Sequence, residues 1–283
     1  MSTDTTPEQP EPEETAADPL PAAVRRLWGA AAPRRRGPKP ALSTARIVRA
    51  AMGLADAEGL AAVSMARVAE ALGYTPMALY RHVANKEELL LLMVDAVAEQ
   101  APEIPDDAGW RAGLELWTRA QIELGVRRPW MLELPLSSAL PGPNRVRWMD
   151  QAFKVMRTLD LPADEKLAVI GLLAQHVLGQ ARVEVESRRA AVQIVLRESG
   201  LPATTPEPEL DPAAVAAANP WADLEAMLVR HAEPTAYPHL FESFATWQPP
   251  EGEPADEVGF GMGILLDGIE AYLRRRGALP DAE

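Results

Sequence analysis

Apolar side chains recur every three to four positions along most of the chain, which is the spacing that buries one face of an α-helix. This pattern predicts helices over residues 44–58, 64–72, 76–83, 85–100, 110–128, 144–159, 163–200, 221–231 and 256–276. No segment alternates apolar and polar residues over the length of a convincing strand. We therefore expect an all-α fold.

Two short predicted helices stand close together in the stretch 63–88, VSMARVAEALGYTPMALYRHVANKEE. Ser64 can cap the first helix, and Gly73 can end it by adopting the left-handed conformation. Thr75 then caps the second helix, whose first turn accommodates Pro76 because no backbone N–H is needed there. This arrangement predicts a helix-turn-helix, whose second helix can enter the DNA major groove. An ordinary helical hairpin within a larger bundle has the same spacing.

The segment ALGYTPMALYRHVANKEELL, residues 71–90, closely resembles the DNA-binding segment of TetR-family transcriptional regulators. It carries the pattern LG-x-x-x-x-x-LY-x-H-x-x-x-K-x-x-L, and the resemblance extends over roughly residues 42–100. The resemblance implies base-edge contacts from the leading end of the second helix, at Thr75, Pro76 and Met77. It implies phosphate contacts from Tyr80, His82 and Lys86, although the Tyr80 ring could instead pack in the core. Three further residues complete the expected DNA-binding set, namely Thr44, Ser64 and Arg81.

The helix-turn-helix also departs from the family pattern. Met65 and Ala66 follow the first cap, where the family often has polar or basic residues. Pro76 and Met77 have no groups for bidentate contacts to bases, so we expect them to contact thymine methyl groups instead. Sequence readout would then rest more heavily on other parts of the DNA-binding region.

The formal net charge of −13 is unevenly distributed. Residues 1–24 carry −6, residues 25–100 carry +4 and residues 101–283 carry −11. Positive charge thus accompanies the helix-turn-helix, as expected of a phosphate-binding footprint. Its densest part is the sequence RRRGPKP at 34–40, with Arg34, Arg35, Arg36 and Lys39. This stretch is either an extended arm that reaches the minor groove or phosphates, or a solvated linker.

We expect three regions along the chain. Residues 1–40 form an acidic tail, disordered to about residue 19, and the basic arm. Residues 41–100 form the DNA-binding domain with a connector helix, and residues 101–283 form a larger helical domain for ligand binding and dimerisation. Within the first region, LPAAVRRLWG at 20–29 could form a short amphipathic helix. Leu20, Val24, Leu27 and Trp28 would either dock on the folded protein or form a lone apolar patch.

Residues 101–283 resemble, in layout and in the phrases PTAYPHL and LLDGIEAYL, the effector domain of tetracycline-repressor-like members. The resemblance implies a ligand pocket between helices. Amphipathic or soft side chains that could surround it are Trp117, Gln121, Trp148, Met149, His176 and Gln180. Any one of them could equally be an ordinary core or surface residue. No histidine lies between His82 and His176, which argues against a magnesium–tetracycline ligand, because tetracycline repressors use histidines early in this domain.

The last predicted helix suggests a homodimer. Its apolar stripe includes Met262, Leu265, Ile269 and Leu273, which we expect at the interface. Four glycines interrupt the same helix, and each costs about 1 kcal/mol relative to alanine. Close approach of another helix would explain them, with fraying of the first turn as the alternative. Two-fold symmetry would place two recognition helices on a palindromic operator.

Catalytic and metal-binding patterns are missing from the sequence. There is no cysteine, no Gly-rich phosphate loop and no G-x-S-x-G, and the four histidines lack metal-site spacing. We therefore expect no enzyme activity, no cofactor and no metal. An acidic, polar N-terminus and the lack of a long apolar run predict a cytoplasmic protein without a membrane partner. The favoured function is a ligand-responsive repressor, released from a palindromic DNA operator by a small molecule. The alternative is a small-molecule-binding or enzymatic helical protein with an incidental helix-turn-helix.

Overall fold

The computed structural model describes residues 22–30, 42–134, 142–218, 224–245 and 257–279, and within these ranges it contains helices and no strand. The fold-class prediction is therefore confirmed. The α-helices are α1 Ala22–Ala30, α2 Thr44–Glu58, α3 Met65–Leu72, α4 Pro76–Tyr80, α5 Lys86–Val97, α6 Trp110–Arg127, α7 Pro143–Val155, α8 Ala163–Glu198, α9 Pro212–Ala217, α10 Leu224–His231, α11 Pro238–Ala245 and α12 Glu257–Arg276. Short 3-10 turns cover Leu60–Ala62, Pro129–Glu133, Glu207–Glu209 and Pro234–Ala236.

Side-chain caps fix where the helices of the N-terminal half begin. The Ser64 hydroxyl accepts from the Arg67 N–H at 3.2 Å, and the Asn85 side chain accepts from the Glu88 N–H at 2.8 Å. Each bond satisfies a first-turn donor that has no partner within the helix. Thr75 differs from the prediction, because it takes the N-cap position of α4 without a capping hydrogen bond from its side chain.

Helix α4 is shorter than the apolar pattern predicted, ending at Tyr80 instead of residue 83. The N–H groups of His82 and Val83 both donate to the Leu79 carbonyl, which closes the helix in a tight turn. The buried Glu88 carboxylate then accepts from the Ala84 N–H at 2.6 Å. The chain is thereby turned directly into the start of α5.

Helix α1 covers most of the segment 20–29, for which the sequence left a docked helix and a lone apolar patch as alternatives. Val24 and Leu27 are buried in the same cluster as α2 to α5, while Trp28 stays 43% exposed. The docking alternative is thus confirmed for α1, and Leu20 lies outside the described residues. Leu27 also reaches Gly142, the residue before α7, where no Cβ could be accommodated.

The buried residues form two main clusters. The first unites α1 to α5 and takes in Trp130, which lies in the turn after α6. The second unites α6, α7, α8 and α12. Helix α8 has 36 residues, a length of about 54 Å at the α-helical rise. The guanidinium of Arg111 on α6 bridges Asp267 at 2.6 Å and Glu270 at 3.1 Å, which ties α6 to α12.

The apolar stripe of α12 faces the chain's own core, which corrects the predicted interface. Met262, Ile269 and Leu273 are 1%, 5% and 0% exposed within the single chain, so they have almost no area left for a partner. Leu265 is half-buried. The apolar side chains that α12 does expose are Phe260 at 73% and Ile264 at 57%.

Two short helices lie in segments that the sequence pattern left as loops. They are α9 and α11, and each begins with a proline, which is well suited to a first helical turn. Helix α10, Leu224–His231, lies within the predicted helix at 221–231, and Trp221 lies outside the described residues.

Candidate DNA interface and effector cavity

Gly73 makes the sharp turn between α3 and α4. Its φ of 74° is in the left-handed region, and its N–H donates to carbonyls of the last turn of α3. The Tyr74 N–H donates to the Ala69 carbonyl at 2.9 Å. Ala69 and Leu79 are fully buried where the two helices meet. The predicted helix-turn-helix is therefore present in the structure.

Most of the described residues that we expect at DNA lie on the outside of this unit. The exposed ones are Thr75, Pro76, Met77, Tyr80, Arg81 and Lys86, whereas Thr44, Ser64 and His82 are half-buried. Met77 is 70% exposed and Tyr80 48% exposed, so neither is used to fill the core. Two large side chains left exposed on one short helix, Met77 in its first turn and Tyr80 at its last residue, indicate a contact surface. The expected residues Arg34, Arg35, Arg36 and Lys39 lie outside the described residues.

The start of α3 contributes little to this surface. Met65 is buried, and both terminal nitrogens of Arg67 donate to the Glu58 carboxylate at 2.8 Å. That hydrogen-bonded ion pair raises the pKa of Arg67 and lowers the pKa of Glu58. The Arg67 guanidinium is therefore held by an internal partner.

Two arginines on α2 face solvent and were not among the DNA-binding residues predicted from the sequence. Arg46 and Arg49 are exposed, and the Arg46 guanidinium lies 5.9 Å from the centre of the Tyr74 ring. The available signal was their place in the stretch 25–49, which has eight basic and no acidic side chains. Residues 42–100 contain five basic and seven acidic side chains, so the positive charge of this region comes mainly from the residues before 42.

A cavity of about 580 Å³ lies between the connector helix α5 and helices of the region 101–283. Its wall comes from α5, α6, α7 and α8 and from the turn after α6. Of the residues nominated from the sequence, four line it: Trp117, Gln121, Trp148 and Met149. The volume is typical of a site for a small organic molecule.

His176 and Gln180 do not line this cavity. Both lie on α8, and the His176 ring sits against Gly261 of α12. Burial lowers the pKa of His176, and its Nε2 has no hydrogen-bond partner within the described part of the chain. Sequence spacing placed these residues on the correct helix but not on the face that lines the cavity.

The indole N–H groups of the cavity are already satisfied by the backbone. Trp117 Nε1 donates to the Trp148 carbonyl and Trp148 Nε1 donates to the Ala98 carbonyl, both at 2.8 Å. Gln121 Nε2 donates to the Trp117 carbonyl at 3.3 Å. The two indoles therefore offer an occupant ring carbon rather than hydrogen-bond donors.

Arg145 is the cavity residue that the sequence did not reveal. It lies in the first turn of α7, is half-buried, and lines the cavity. Burial lowers the pKa of its guanidinium, and the nearby Asp95 opposes that shift. Among the described residues the guanidinium makes no hydrogen bond or ion pair. The sequence around a single arginine does not indicate that it will line a cavity, because its burial depends on the fold.

Asp95 joins the connector helix to α7. Its carboxylate, 3% exposed, accepts from the backbone N–H groups of Asn144 and Arg145, both at 3.1 Å. Burial raises the pKa of Asp95, and these N–H groups act in the opposite direction. A Cβ at Gly142 would overlap both this carboxylate and the Leu27 side chain. Helices α1, α5 and α7 therefore meet at one point.

The described residues contain no group of three or more histidine or carboxylate residues placed to hold a metal ion. No helix in the described ranges is long and apolar enough to cross a membrane.

Two family models match the chain. "Bacterial regulatory proteins, tetR family" matches residues 47–93, and "Tetracyclin repressor-like, C-terminal domain" matches residues 101–273. The chain is also similar to the HTH-type transcriptional repressor DrrR1 of Streptomyces coeruleorubidus. The two are 34% identical over 253 residues, covering 88% of this chain and 85% of the repressor.

Solved structures give the same picture of the fold. The TetR family protein ActR of Streptomyces coelicolor, in complex with actinorhodin, superimposes with a TM-score of 0.53 and 27% identity, covering 83% of this chain and 99% of ActR. BioQ of Mycobacterium smegmatis gives a TM-score of 0.53 at 21% identity, covering 82% and 99% of the two chains. The second likeness is one of fold alone.

Proposed function

The chain belongs to the TetR family of bacterial regulatory proteins, and on this premise we propose that it is a DNA-binding repressor that a small molecule releases from its operator. Repression is the activity named for the relative DrrR1, and ActR, with which it shares a fold, has been crystallised with a small molecule bound. A DNA-binding regulator acts where the chromosome is, in keeping with the expected cytoplasmic location.

The observation that carries this proposal is the position of α5. Lys86 begins the helix beside the exposed end of α4, and Val94 of the same helix lines the cavity, together with Ala98 just past its end. Twelve helical residues span about 18 Å. Because a helix moves largely as a unit, an occupant that displaces the cavity end of α5 also displaces the DNA-facing end. The cavity and the DNA surface are thus mechanically connected.

The operator-bound form is a homodimer in this proposal, and its interface uses a different face of α12 from the one the sequence suggested. Phe260, Ile264 and Gly268 follow one another at four-residue spacing. A Cβ at Gly268 or at Gly263 would meet nothing within 4 Å in the single chain. Exposed apolar side chains beside small residues favour close packing of a helix from a second copy.

The alternative of an enzyme with an incidental helix-turn-helix has no observation in its favour. The relatives are transcriptional regulators, and the cavity offers no acid–base pair or metal ligands among the described residues. The exposed positions of Met77 and Tyr80 also support a DNA-binding role, since a structural hairpin would bury them.

Selection from random duplex DNA tests the proposal. The full chain should enrich a palindromic sequence, and a footprint should cover two half-sites one or more helical turns apart. Changing both Tyr80 and His82 to Ala should abolish the enrichment and the footprint and leave the thermal unfolding temperature unchanged. Recovery of no sequence, or of a single half-site bound by a monomer, would overturn the proposal.

A further inference from the structure

The charged side chains that line the cavity in the described part of the chain are all positive. The charged side chains that line it are Arg145 and Arg182, and no carboxylate lines it in the described part of the chain. Arg182 is exposed, and its Nε donates to Glu186 at 3.0 Å, so its charge is already balanced at the rim. Among the described residues the Arg145 guanidinium has no hydrogen-bonded or ion-paired partner, and Arg145 is half-buried. The cavity wall therefore carries one guanidinium to which no described side chain is hydrogen-bonded.

Asp95 offsets part of this positive charge but makes no hydrogen bond to the guanidinium. Its carboxylate is nearby, but it is bound by the backbone N–H groups of Asn144 and Arg145 at the start of α7. Those bonds also occupy the helix terminus, so the terminus has no free donors for a ligand. A buried guanidinium has five N–H donors and loses much of its hydration, a cost that an anionic acceptor offsets.

The rest of the wall is apolar and polarisable. It includes the indoles of Trp117 and Trp148 and the thioethers of Met131 and Met149. Indole rings and methionine sulfur both pack favourably on aromatic rings. A cationic occupant would meet Arg145 with no carboxylate in the wall to offset the repulsion.

We propose that the effector is an aromatic molecule with an acidic oxygen group, a carboxylate or an ionised phenol, and that Arg145 binds this group. Planar guanidinium donors match two oxygens of a carboxylate at once, while the ring system lies among the indoles and thioethers. This inference rests on the proposed function only in treating the cavity as the effector site.

A pair of matched probes tests it, anthracene-2-carboxylate and anthracene-2-carboxamide, with binding to the full chain followed by calorimetry. The carboxylate should bind at least about tenfold more tightly than the carboxamide, as expected for a charge-assisted hydrogen bond. Arg145→Gln should remove this preference and leave the affinity for the carboxamide nearly unchanged. Arg145→Lys, which keeps the charge and loses the planar fork, should retain only part of it.

Arg182→Gln is the matched control, because it removes the other arginine of the wall and should leave the preference intact. Equal binding of the two probes, failure of both to bind, or an unchanged preference in Arg145→Gln would each overturn the inference. These readouts need no DNA. A carboxylate that binds through Arg145 but leaves the selected operator occupied would count against small-molecule release and not against anion recognition.

Discussion

The indole N–H of Trp130 donates to Asp56 Oδ1 over 2.7 Å, so the turn after α6 is hydrogen-bonded to the last turn of α2. Arg128 Nε lies 3.6 Å from the same carboxylate oxygen. Trp130 itself is buried in the cluster of the DNA-binding unit, although Met131 and Leu132, the next residues, line the cavity. This turn is thus a second link between the cavity and the DNA-binding unit, beside α5.

Asp56→Ala should destabilise the chain by about 1 kcal/mol, near the lower end for a hydrogen bond to a charged group because Asp56 is partly exposed. In a chain of this size the melting temperature should fall by about 2 to 4 °C. Glu99→Ala, at another exposed acidic position, is the control and should change it little. Equal shifts in the two variants would mean that the link to Trp130 contributes nothing.

Asp95 should make stability depend on pH. Because burial raises its pKa above the ordinary value of 3.8, folding favours the protonated carboxyl. Its contribution to stability is therefore fully present below that value and is lost as pH rises through the raised pKa of the folded state. Asp95→Asn keeps an acceptor for the two N–H groups and removes the titration.

The stability of the unmodified chain relative to Asp95→Asn should thus fall as the pH rises above the ordinary carboxyl pKa of 3.8 and through the raised pKa of Asp95. Thermal unfolding of both proteins at matched ionic strength measures this difference. A difference that stays constant, or that grows with pH, would contradict the assignment of the titration to Asp95.

Lys86→Ala should weaken binding to selected and random duplexes by similar factors, because a phosphate contact carries no sequence information. The slope of log affinity against log salt concentration should become shallower by roughly one. Arg275→Ala removes an exposed cation at the far end of α12 and should change neither quantity. Loss of affinity for the selected sequence alone would show that Lys86 reads bases.

Changing Arg34, Arg35 and Arg36 together to Ala should lower DNA affinity and reduce the salt slope by up to about three. Substitution is preferable to deleting residues 1–40, since that deletion would also remove the docked helix α1. Removing residues 1–19, which takes away acidic side chains and no basic ones, is the control and should not weaken binding. Unchanged affinity of the triple variant would identify the basic stretch as a linker.

Phe260→Glu combined with Ile264→Glu should convert the dimer into a folded monomer that no longer protects a palindromic site, as followed by sedimentation velocity and footprinting. Charges on this exposed face oppose association without entering the core. Leu116→Glu, on a similarly exposed apolar residue of α6, should leave the dimer intact. A double variant that sediments as the wild-type dimer would place the interface elsewhere.

Local features of the fold were predictable from the sequence because local chemistry decides them. The cap at Ser64, the left-handed turn at Gly73 and the cap at Asn85 depend on a few neighbouring residues. The end of α4 was missed because the apolar pattern continues to Val83, whereas the N–H groups of His82 and Val83 both donate to the Leu79 carbonyl and close the helix earlier.

Features that depend on which helices meet were not predictable in the same way. The apolar stripe containing Met262 and Ile269 indicates that this face of α12 is buried. The pattern does not indicate whether the helix that covers it belongs to the same chain or to a second copy. Arg145 could not be assigned to the cavity because its burial depends on the contact of Asp95 with the start of α7. Trp117 and Trp148 were found because large amphipathic side chains often line helical cavities.

The contact of Leu27 with Gly142 sets an order of events during synthesis on the ribosome. Leu27 packs on one side against α5. Its other contact, Gly142, is added to the chain 115 positions after Leu27. At 5–20 residues per second that interval lasts about 6 to 23 s. Among the described helices, α1 is therefore translated before the others, yet its docking is completed only after residue 142 has been added.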